Sequence, residues 1–191
     1  MISSYIKKHI SSIEDLLLNL HEMQVSELVD DIIKSNNAIY LTGIGKNGHV
    51  ASKAASTFNS VGIKTYFINP VDAVHGDMAM INENDLIIAV SKSGNTEELV
   101  NFLQKCKRKT NRIWLIHSNK SNNAISLCKS DIFIPIEYEA DHLNIVPTSS
   151  IATYVVFLQS IACKIAEDKG LTIEQFVYNH PGGSIGKTKL A

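Results

Sequence analysis

The chain has 191 residues, of which 45% are hydrophobic, and it carries a formal net charge of −1 at pH 7. This composition is typical of one globular domain, and the absence of a Lys/Arg block argues against nucleic acid or an anionic membrane as the main partner. The three widely spaced cysteines form no C-x-x-C pair, which argues against a disulfide framework or zinc site and favours a reducing compartment. Without a signal-peptide pattern or an apolar run near the roughly 18 residues of a membrane helix, we expect a cytoplasmic protein.

Two amphipathic helices are predicted first. Apolar residues recur at three- and four-residue steps from Ile6 to Leu20 and from Val25 to Ile33, which predicts one apolar stripe on each helix. Short apolar, β-rich runs follow at 38–42, 64–68, 85–90, 112–117 and 131–134. Helix-compatible stretches separate or follow them, at about 47–61, 96–109, 121–129, 148–168 and 172–179.

Nearly continuous apolar strands that alternate with helices predict a parallel sheet covered on both faces. We therefore expect one doubly wound α/β domain over residues 1–191, with five strands and extra helices at both ends. Its parts would be N-terminal helices in 1–35, an α/β core in 36–170 and a C-terminal segment in 171–191. In such sheets, ligands bind beyond the carboxyl ends of the strands, where the strand order reverses. Polar and glycine residues crowd at four of these ends: Gly43–His49, Asn69–Asp77, Ser91–Thr96 and Glu137–Ser150.

The string Ser91–Thr96 follows the third run and opens a helix. The hydroxyls of Ser91, Ser93 and Thr96 can donate to phosphate oxygens, Gly94 allows close approach of the backbone, and the helix N-terminus favours an anion. The alternative is an ordinary helix cap with solvated serines. In the turn after the first run, Gly45 permits a tight approach to a ligand, and Lys46 is either a cation for a phosphate or oxyanion or a surface lysine. We expect His49 to pack against or cap the helix that follows this turn.

Other polar residues also have two interpretations. His75 either lies over a ligand or pairs structurally with Asp77, and Glu98 stabilises a helix N-terminus in either case. Glu139, if it points into the cleft, is a plausible general base. Thr148 and Ser149 open the long apolar helix, so they can cap it and also contact sugar hydroxyls. His180 stands before Pro-Gly-Gly, which is unusual for a disordered tail.

Together these strings resemble the sugar isomerase (SIS) domain, and within it the D-arabinose 5-phosphate isomerases, over about residues 36–187. The strings that carry the resemblance are Gly-Ile-Gly-Lys-Asn-Gly-His (43–49), His-Gly-Asp (75–77), Ser-Lys-Ser-Gly-Asn-Thr-Glu-Glu (91–98), Pro-Thr-Ser-Ser (147–150) and His-Pro-Gly-Gly-Ser-Ile-Gly (180–186). The resemblance implies a flavodoxin-like sheet and interconversion of D-arabinose 5-phosphate with D-ribulose 5-phosphate, which supplies Kdo for surface polysaccharide. It also implies that Lys46, Glu98, Glu139 and His180 occupy catalytic positions, with His75 lining the site. Counting back without gaps from Pro147 of the shared Pro-Thr-Ser-Ser string reaches Glu139, and Glu137 and Asp141 are the neighbouring alternatives.

This chemistry needs no cofactor, and the sequence shows no metal cluster. We expect Glu139, with a raised pKa, to take the C2 proton, and Lys46 to stabilise the enediolate. Glu98 and His180 would assist ring opening and proton relay. Family members are typically homotetramers, so His180 is expected to act on a neighbouring subunit. They often continue into paired CBS domains, and a chain that stops at Ala191 would be the single-domain form. The alternatives are isomerisation of another sugar phosphate, or a non-catalytic module that senses a sugar phosphate or nucleotide sugar.

Overall fold

The computed structural model describes residues 1–187, so the end of the predicted C-terminal segment, 188–191, lies outside the described residues. The two predicted N-terminal helices are present as α1 (Ile2–Asn19) and α2 (Glu22–Ile33). The strands coincide with the predicted apolar runs: β1 (Ile39–Thr42), β2 (Thr65–Phe67), β3 (Leu86–Ser91), β4 (Ile113–His117) and β5 (Ser130–Phe133). The other helices are α3 (Lys46–Ser60), α4 (Pro70–Ala73), α5 (Glu97–Cys106), α6 (Ser149–Asp168) and α7 (Ile173–Asn179).

All strands are parallel, and their order across the sheet is β2-β1-β3-β4-β5. This is the flavodoxin-like order, and it confirms the predicted doubly wound, five-stranded sheet. The order reverses between β1 and β3, and their following helices, α3 and α5, pack on opposite faces of the sheet. A crevice therefore opens at the carboxyl ends of β1 and β3, where the glycine turn and the serine string begin.

Hydrophobic side chains cover both faces of the sheet. On one face, α2, α3 and α6 pack against strand residues such as Leu41, Ile88 and Trp114. On the other, α4 and α5 pack against the intervening residues, such as Ala89 and Leu115. Because β3 and β4 are buried at every position, their sequences are apolar without alternation up to their last residues, Ser91 and His117.

The helix predicted at 121–129 is absent. A short 3-10 turn, Ile125–Leu127, stands in its place. The side-chain oxygen of Asn119 accepts from the amide of Ser121 at 3.1 Å, and that of Asn122 accepts from the amide of Ile125 at 2.9 Å. These local bonds offer the backbone an alternative to helical pairing, so the two asparagines explain why the prediction was wrong.

Helix α6 runs from the carboxyl edge of the sheet to its amino edge. It begins beside the loop after β3, because Ser150 and Lys92 both bind the Glu139 carboxylate. Twenty residues rise about 30 Å, and beyond the end of α6 Lys169 borders a cavity with Lys64, the residue before β2. The two ends of α6 therefore lie at opposite ends of the strands.

The sequence was not expected to contain a helix that could cross a membrane, but α6 has the required length and a mean hydropathy of 1.4 over its most apolar window. In that window, however, 50% of the residues are buried. Tyr154, Leu158 and Ile165 belong to the core on the α3 side of the sheet. Within the described residues, α6 packs as a core helix.

Candidate active site

The glycine turn after β1 brings three backbone segments into close contact. A Cβ on Gly43 would lie 2.9 Å from the carbonyl oxygens of Asn47 and Val90, and a Cβ on Gly48 would lie 2.9 Å from that of Gly43. These approaches leave no room for a side chain. Gly45 adopts φ +58°, a conformation that glycine enters without strain. The sequence therefore places the start of α3 tightly against the carboxyl edge of the sheet.

Lys46 is the first residue of α3 and is exposed. Within residues 1–187 its ammonium group has no hydrogen-bond or ion-pair partner, so it can meet an anion in the crevice. His49, one turn along, was expected to pack against or cap the helix. Instead its side chain is exposed and lines a cleft of about 360 Å³ with Gly45, Phe67 and Asn69, so that expectation was wrong.

The segment 91–96, called the serine loop below, has two hydroxyls turned toward its own backbone. Ser91 Oγ accepts from the amide of Gly94 at 3.1 Å, and Ser93 Oγ accepts from the amide of Asn95 at 3.2 Å. Each hydroxyl keeps its own hydrogen for an incoming acceptor. Thr96 occupies the N-cap position of α5 but makes no side-chain capping bond. The ordinary-cap interpretation is therefore not realised, and the donors at this helix N-terminus are available to an anion.

Glu139 lies in the connection between β5 and α6, and its side chain is 2% exposed. Its Oε1 accepts from Lys92 Nζ and Ser150 Oγ, both at 2.6 Å. Its Oε2 accepts from the amides of Thr148 and Ser150, at 2.7 and 3.1 Å, and from Thr148 Oγ1 at 3.3 Å. The carboxylate is therefore held on all sides by donors.

These donors decide the acidity of Glu139. Burial by itself raises the pKa of the carboxyl, but the hydrogen bonds from Lys92, Ser150 and Thr148 outweigh burial and hold the pKa below its ordinary value. The expectation of a raised pKa was wrong, because the argument from burial did not include the donors at the start of α6. The place of Glu139 in the catalytic set stays a prediction.

The ion pair between Lys92 and Glu139 was not predicted. It ties the serine loop to the start of α6, although the two residues lie 47 positions apart in the sequence. A lysine inside the serine string and the alternating acids Glu137, Glu139 and Asp141 were visible signals. The alternating pattern did not indicate which of these acids is buried. In the structure, Glu137 is exposed and Glu139 is buried.

The two hydroxyls predicted to bind the sugar are in different states. Thr148 Oγ1 accepts from the amide of Ala140 at 2.8 Å and contacts Glu139, so it is engaged in holding the loop. Ser149 Oγ is buried, and in the described part of the chain it has no hydrogen-bond partner. An unpaired buried hydroxyl is unfavourable, which makes Ser149 the better candidate for a contact completed by a ligand.

His75 and Glu98 are both exposed. His75 follows α4, and the described residues include no side-chain bond between it and Asp77, so the structural pair considered above is not formed. Glu98 lies in the first turn of α5, directly after the serine loop. The elements thus bring Lys46, the serine loop and Glu98 to one edge of the sheet.

His180 does not lie at this edge in its own chain. It ends α7, where its ring stacks on Phe176 with centroids 4.1 Å apart and its Nδ1 lies 2.7 Å from the Phe176 carbonyl oxygen. Helix α7 lines a cavity of about 560 Å³ with Val61, Gly62 and Lys169. Val61, Gly62 and Lys169 follow α3 and α6 at the amino edge, and Asn179, directly before His180, lines the same cavity, whereas Lys46 begins α3 at the carboxyl edge.

Known proteins with similar sequences cover most of this chain. Residues 31–164 match the family model of the SIS domain. The arabinose 5-phosphate isomerase KdsD of Pseudomonas aeruginosa is 32% identical over 173 residues, covering 87% of this chain and 53% of the relative. KdsD of Francisella tularensis is 34% identical over 161 residues, covering 82% and 49%. The chain spans about half the length of these curated relatives.

A solved structure matches almost the whole chain. It is the E. coli CFT073 protein c3406 in complex with arabinose 5-phosphate, with a TM-score of 0.89 and 27% sequence identity. The match covers 94% of this chain and 95% of the E. coli chain. The described sheet and its helices are therefore shared with a protein that binds a pentose phosphate.

Proposed function

The chain belongs to the SIS domain family, and from that premise we propose that it is a sugar-phosphate isomerase that interconverts D-arabinose 5-phosphate and D-ribulose 5-phosphate. The observation that carries the proposal is the meeting of Lys46, the serine loop and Glu98 at the strand-order reversal, on opposite sides of one crevice. The curated relatives named arabinose 5-phosphate isomerase, at about one-third identity, support the choice of substrate.

In this proposal the serine loop binds the phosphate group. Ser91 and Ser93 each retain a hydroxyl hydrogen, and the first amides of α5 have no side-chain cap. Charge-assisted bonds from such donors hold the far end of the sugar. The binding energy of the phosphate then positions the reacting carbons near Lys46.

The reaction moves one proton between two carbons. A base removes the C2 proton of the open-chain aldose, a cis-enediol forms, and a proton is returned to C1 as the hydroxyl proton moves from O2 to O1. We assign the base to Glu98, which is exposed and unpaired within residues 1–187, instead of the fully bonded Glu139. Lys46 would stabilise the charge that develops on the carbonyl oxygen. No step calls for a cofactor.

His180 would act in trans, in a homotetramer. In its own chain it lies at the amino edge of the sheet, whereas the proposed chemistry lies at the carboxyl edge. An exposed apolar stripe on α1 offers a surface for association: Ile2, Ile6, Ile10 and Leu17. The enzyme would work in the cytoplasm and supply arabinose 5-phosphate to Kdo and surface polysaccharide synthesis.

The test is to incubate the purified chain with a panel of aldose and ketose phosphates and to follow interconversion of each pair. We expect arabinose 5-phosphate and ribulose 5-phosphate to equilibrate fastest, with no added metal or cofactor. Faster conversion of a hexulose or heptulose phosphate would keep the isomerase class and change the substrate. Binding without conversion of any pair would instead favour a sensing module and overturn the proposed activity.

A further inference from the structure

His117 is a buried polar residue that the proposed mechanism leaves unused. It is the last residue of β4, it pairs in register with Ser91 of β3, and it is 1% exposed. Its Nε2 lies 2.8 Å from Asp131 Oδ2, and its Nδ1 lies 2.8 Å from the carbonyl oxygen of Asn119. Phe133 packs against the ring with centroids 5.7 Å apart. Both ring nitrogens are therefore engaged directly beside the start of the serine loop.

The ring is held from both sides by groups of the neighbouring connections. The Asn119 carbonyl oxygen and the Asn122 side-chain nitrogen lie 2.8 and 3.3 Å from Nδ1, and Asp131 Oδ2 lies beside Nε2. The Asn122 NH₂ group also donates to the Asn119 carbonyl at 2.6 Å, and its oxygen accepts from the amide of Ile125. The ring, Asp131 and the two asparagines therefore form one hydrogen-bonded cluster.

The loop that follows His117, residues 118–124, packs against the serine loop and is hydrogen-bonded to it. Asn122 fills the space under Gly94, since a Cβ on Gly94 would lie 2.5 Å from the Asn122 side chain. The side chain of Asn119 donates to the Ser93 carbonyl at 3.1 Å. Three further bonds join the loops, from the amides of Ser118, Asn123 and Ala124 to Lys92 O, Asn95 Oδ1 and Gly94 O.

We propose that His117 is a positioning residue for phosphate binding, and that it fixes the serine loop through Asn119. One ring nitrogen is bound to Asp131 of β5, and the other is bound to the Asn119 carbonyl. These two contacts fix the start of the loop 118–124. Asn119 and Asn122 then set the positions of Ser93, whose hydroxyl would meet the ligand, and of Gly94, whose amide holds the Ser91 hydroxyl. The inference rests on the proposed function only in that the serine loop binds the phosphate group.

Positioning is tested with inorganic phosphate as the probe, by calorimetry and by the amide shift of Gly94. In His117→Phe the dissociation constant for phosphate, and the KM for arabinose 5-phosphate, should rise about three- to tenfold, the effect of one net hydrogen bond. The kcat should stay within about twofold. Asn119→Ala, which leaves the ring buried and cuts the link to Ser93, should give the same rise if His117→Phe does not fold.

Two further variants separate positioning from stability. In Asp131→Asn the new amide can donate to Nε2, so the Asn119 bond persists and phosphate affinity should stay near wild type. Trp114 lies near the other end of β4 and donates a hydrogen bond to Asp31 of α2. Trp114→Phe removes this bond and should lower stability without changing phosphate affinity. Unchanged phosphate affinity in both His117→Phe and Asn119→Ala would overturn the inference, whether or not the wild type isomerises sugars. Phosphate binding that depends on His117 in a chain without isomerase activity would uphold it and remove only the proposed function.

Discussion

Replacement of Glu139 by glutamine tests the role of the most heavily bonded carboxylate near the site. Glutamine keeps the shape of the side chain, but its amide group must face donors whichever way it turns. On one side stand Lys92 and the Ser150 hydroxyl, and on the other the amides of Thr148 and Ser150. The variant therefore loses an ion pair and leaves at least one buried donor without an acceptor.

The cost can be estimated from these contacts. Each hydrogen bond to a charged group contributes about 1.5–3 kcal/mol, and removal of one partner from a buried pair costs about 3–5 kcal/mol. Lys92 is 39% exposed and is partly satisfied by water after the change, which favours the lower end. We expect a loss of about 2–3 kcal/mol of unfolding free energy at pH 7, or a fall in Tm of roughly 4–12 °C for a chain of this size.

The dependence on pH follows from the lowered pKa of Glu139. A carboxyl whose pKa is lower in the folded state stabilises the fold above the ordinary value of 4.5, and this contribution is lost as pH falls through the folded-state pKa. Urea unfolding of wild type and Glu139→Gln should therefore differ most at neutral pH and converge in acid. The control is Glu137→Gln, an exposed neighbour that should change stability by less than about 0.5 kcal/mol. Equal stability of the two variants, together with loss of turnover in Glu139→Gln alone, would refute the anchoring role and restore Glu139 as the base.

Four further experiments address the proposed chemistry. Ser93→Ala should raise KM for the sugar phosphate at least tenfold with a smaller effect on kcat, since a charge-assisted bond is worth about 1.5–3 kcal/mol; an unchanged KM would remove the serine loop from the phosphate site. Lys46→Met should keep its Tm, because the side chain is exposed, and lose about 10²–10³ in kcat; near-normal kcat would make it a surface residue. Chelator should leave activity intact, and inactivation reversed by one metal would contradict the cofactor-free scheme. Glu98→Gln and His180→Ala, each inactive alone, should regain activity when subunits exchange; mass-confirmed exchange without recovery would place His180 outside the partner's site.

The hydrophobic pattern was sufficient to predict the five strands of the sheet, but it did not predict the structure of the connection between β4 and β5. Each of the five strands is a short apolar run in the sequence, and such a run indicates a buried strand without knowledge of the rest of the fold. The segment 121–129 has helical spacing, but Asn119, just before it, and Asn122, within it, accept hydrogen bonds from nearby backbone amides. The competition between side-chain and helical bonding is invisible to periodicity.

The candidate site likewise has a part that the sequence predicts and a part that it does not. Gly43, Gly45, Lys46 and the serine loop follow directly from strands, so their convergence could be derived from the order of the elements. The partners of Glu139 come from the start of α6 and from the serine loop, where Lys92 lies 47 residues away in the sequence. Only the folded chain could show that this glutamate is saturated with donors and that His49 is exposed instead of packed.

The distribution of charge in the crevice limits how a sugar phosphate can bind. Lys92 is part of the serine loop, but its charge is compensated by Glu139, so the loop presents mainly neutral hydroxyl and amide donors to the phosphate. Lys46 is exposed and without an ion-pair partner among residues 1–187, and it lies across the strand-order reversal. The uncompensated positive charge is thereby kept for the other end of the ligand, where a carbonyl oxygen becomes an oxyanion. Under the proposed function, this separation is the contribution of the ion pair between Lys92 and Glu139, and neither member would need to touch the reacting carbons.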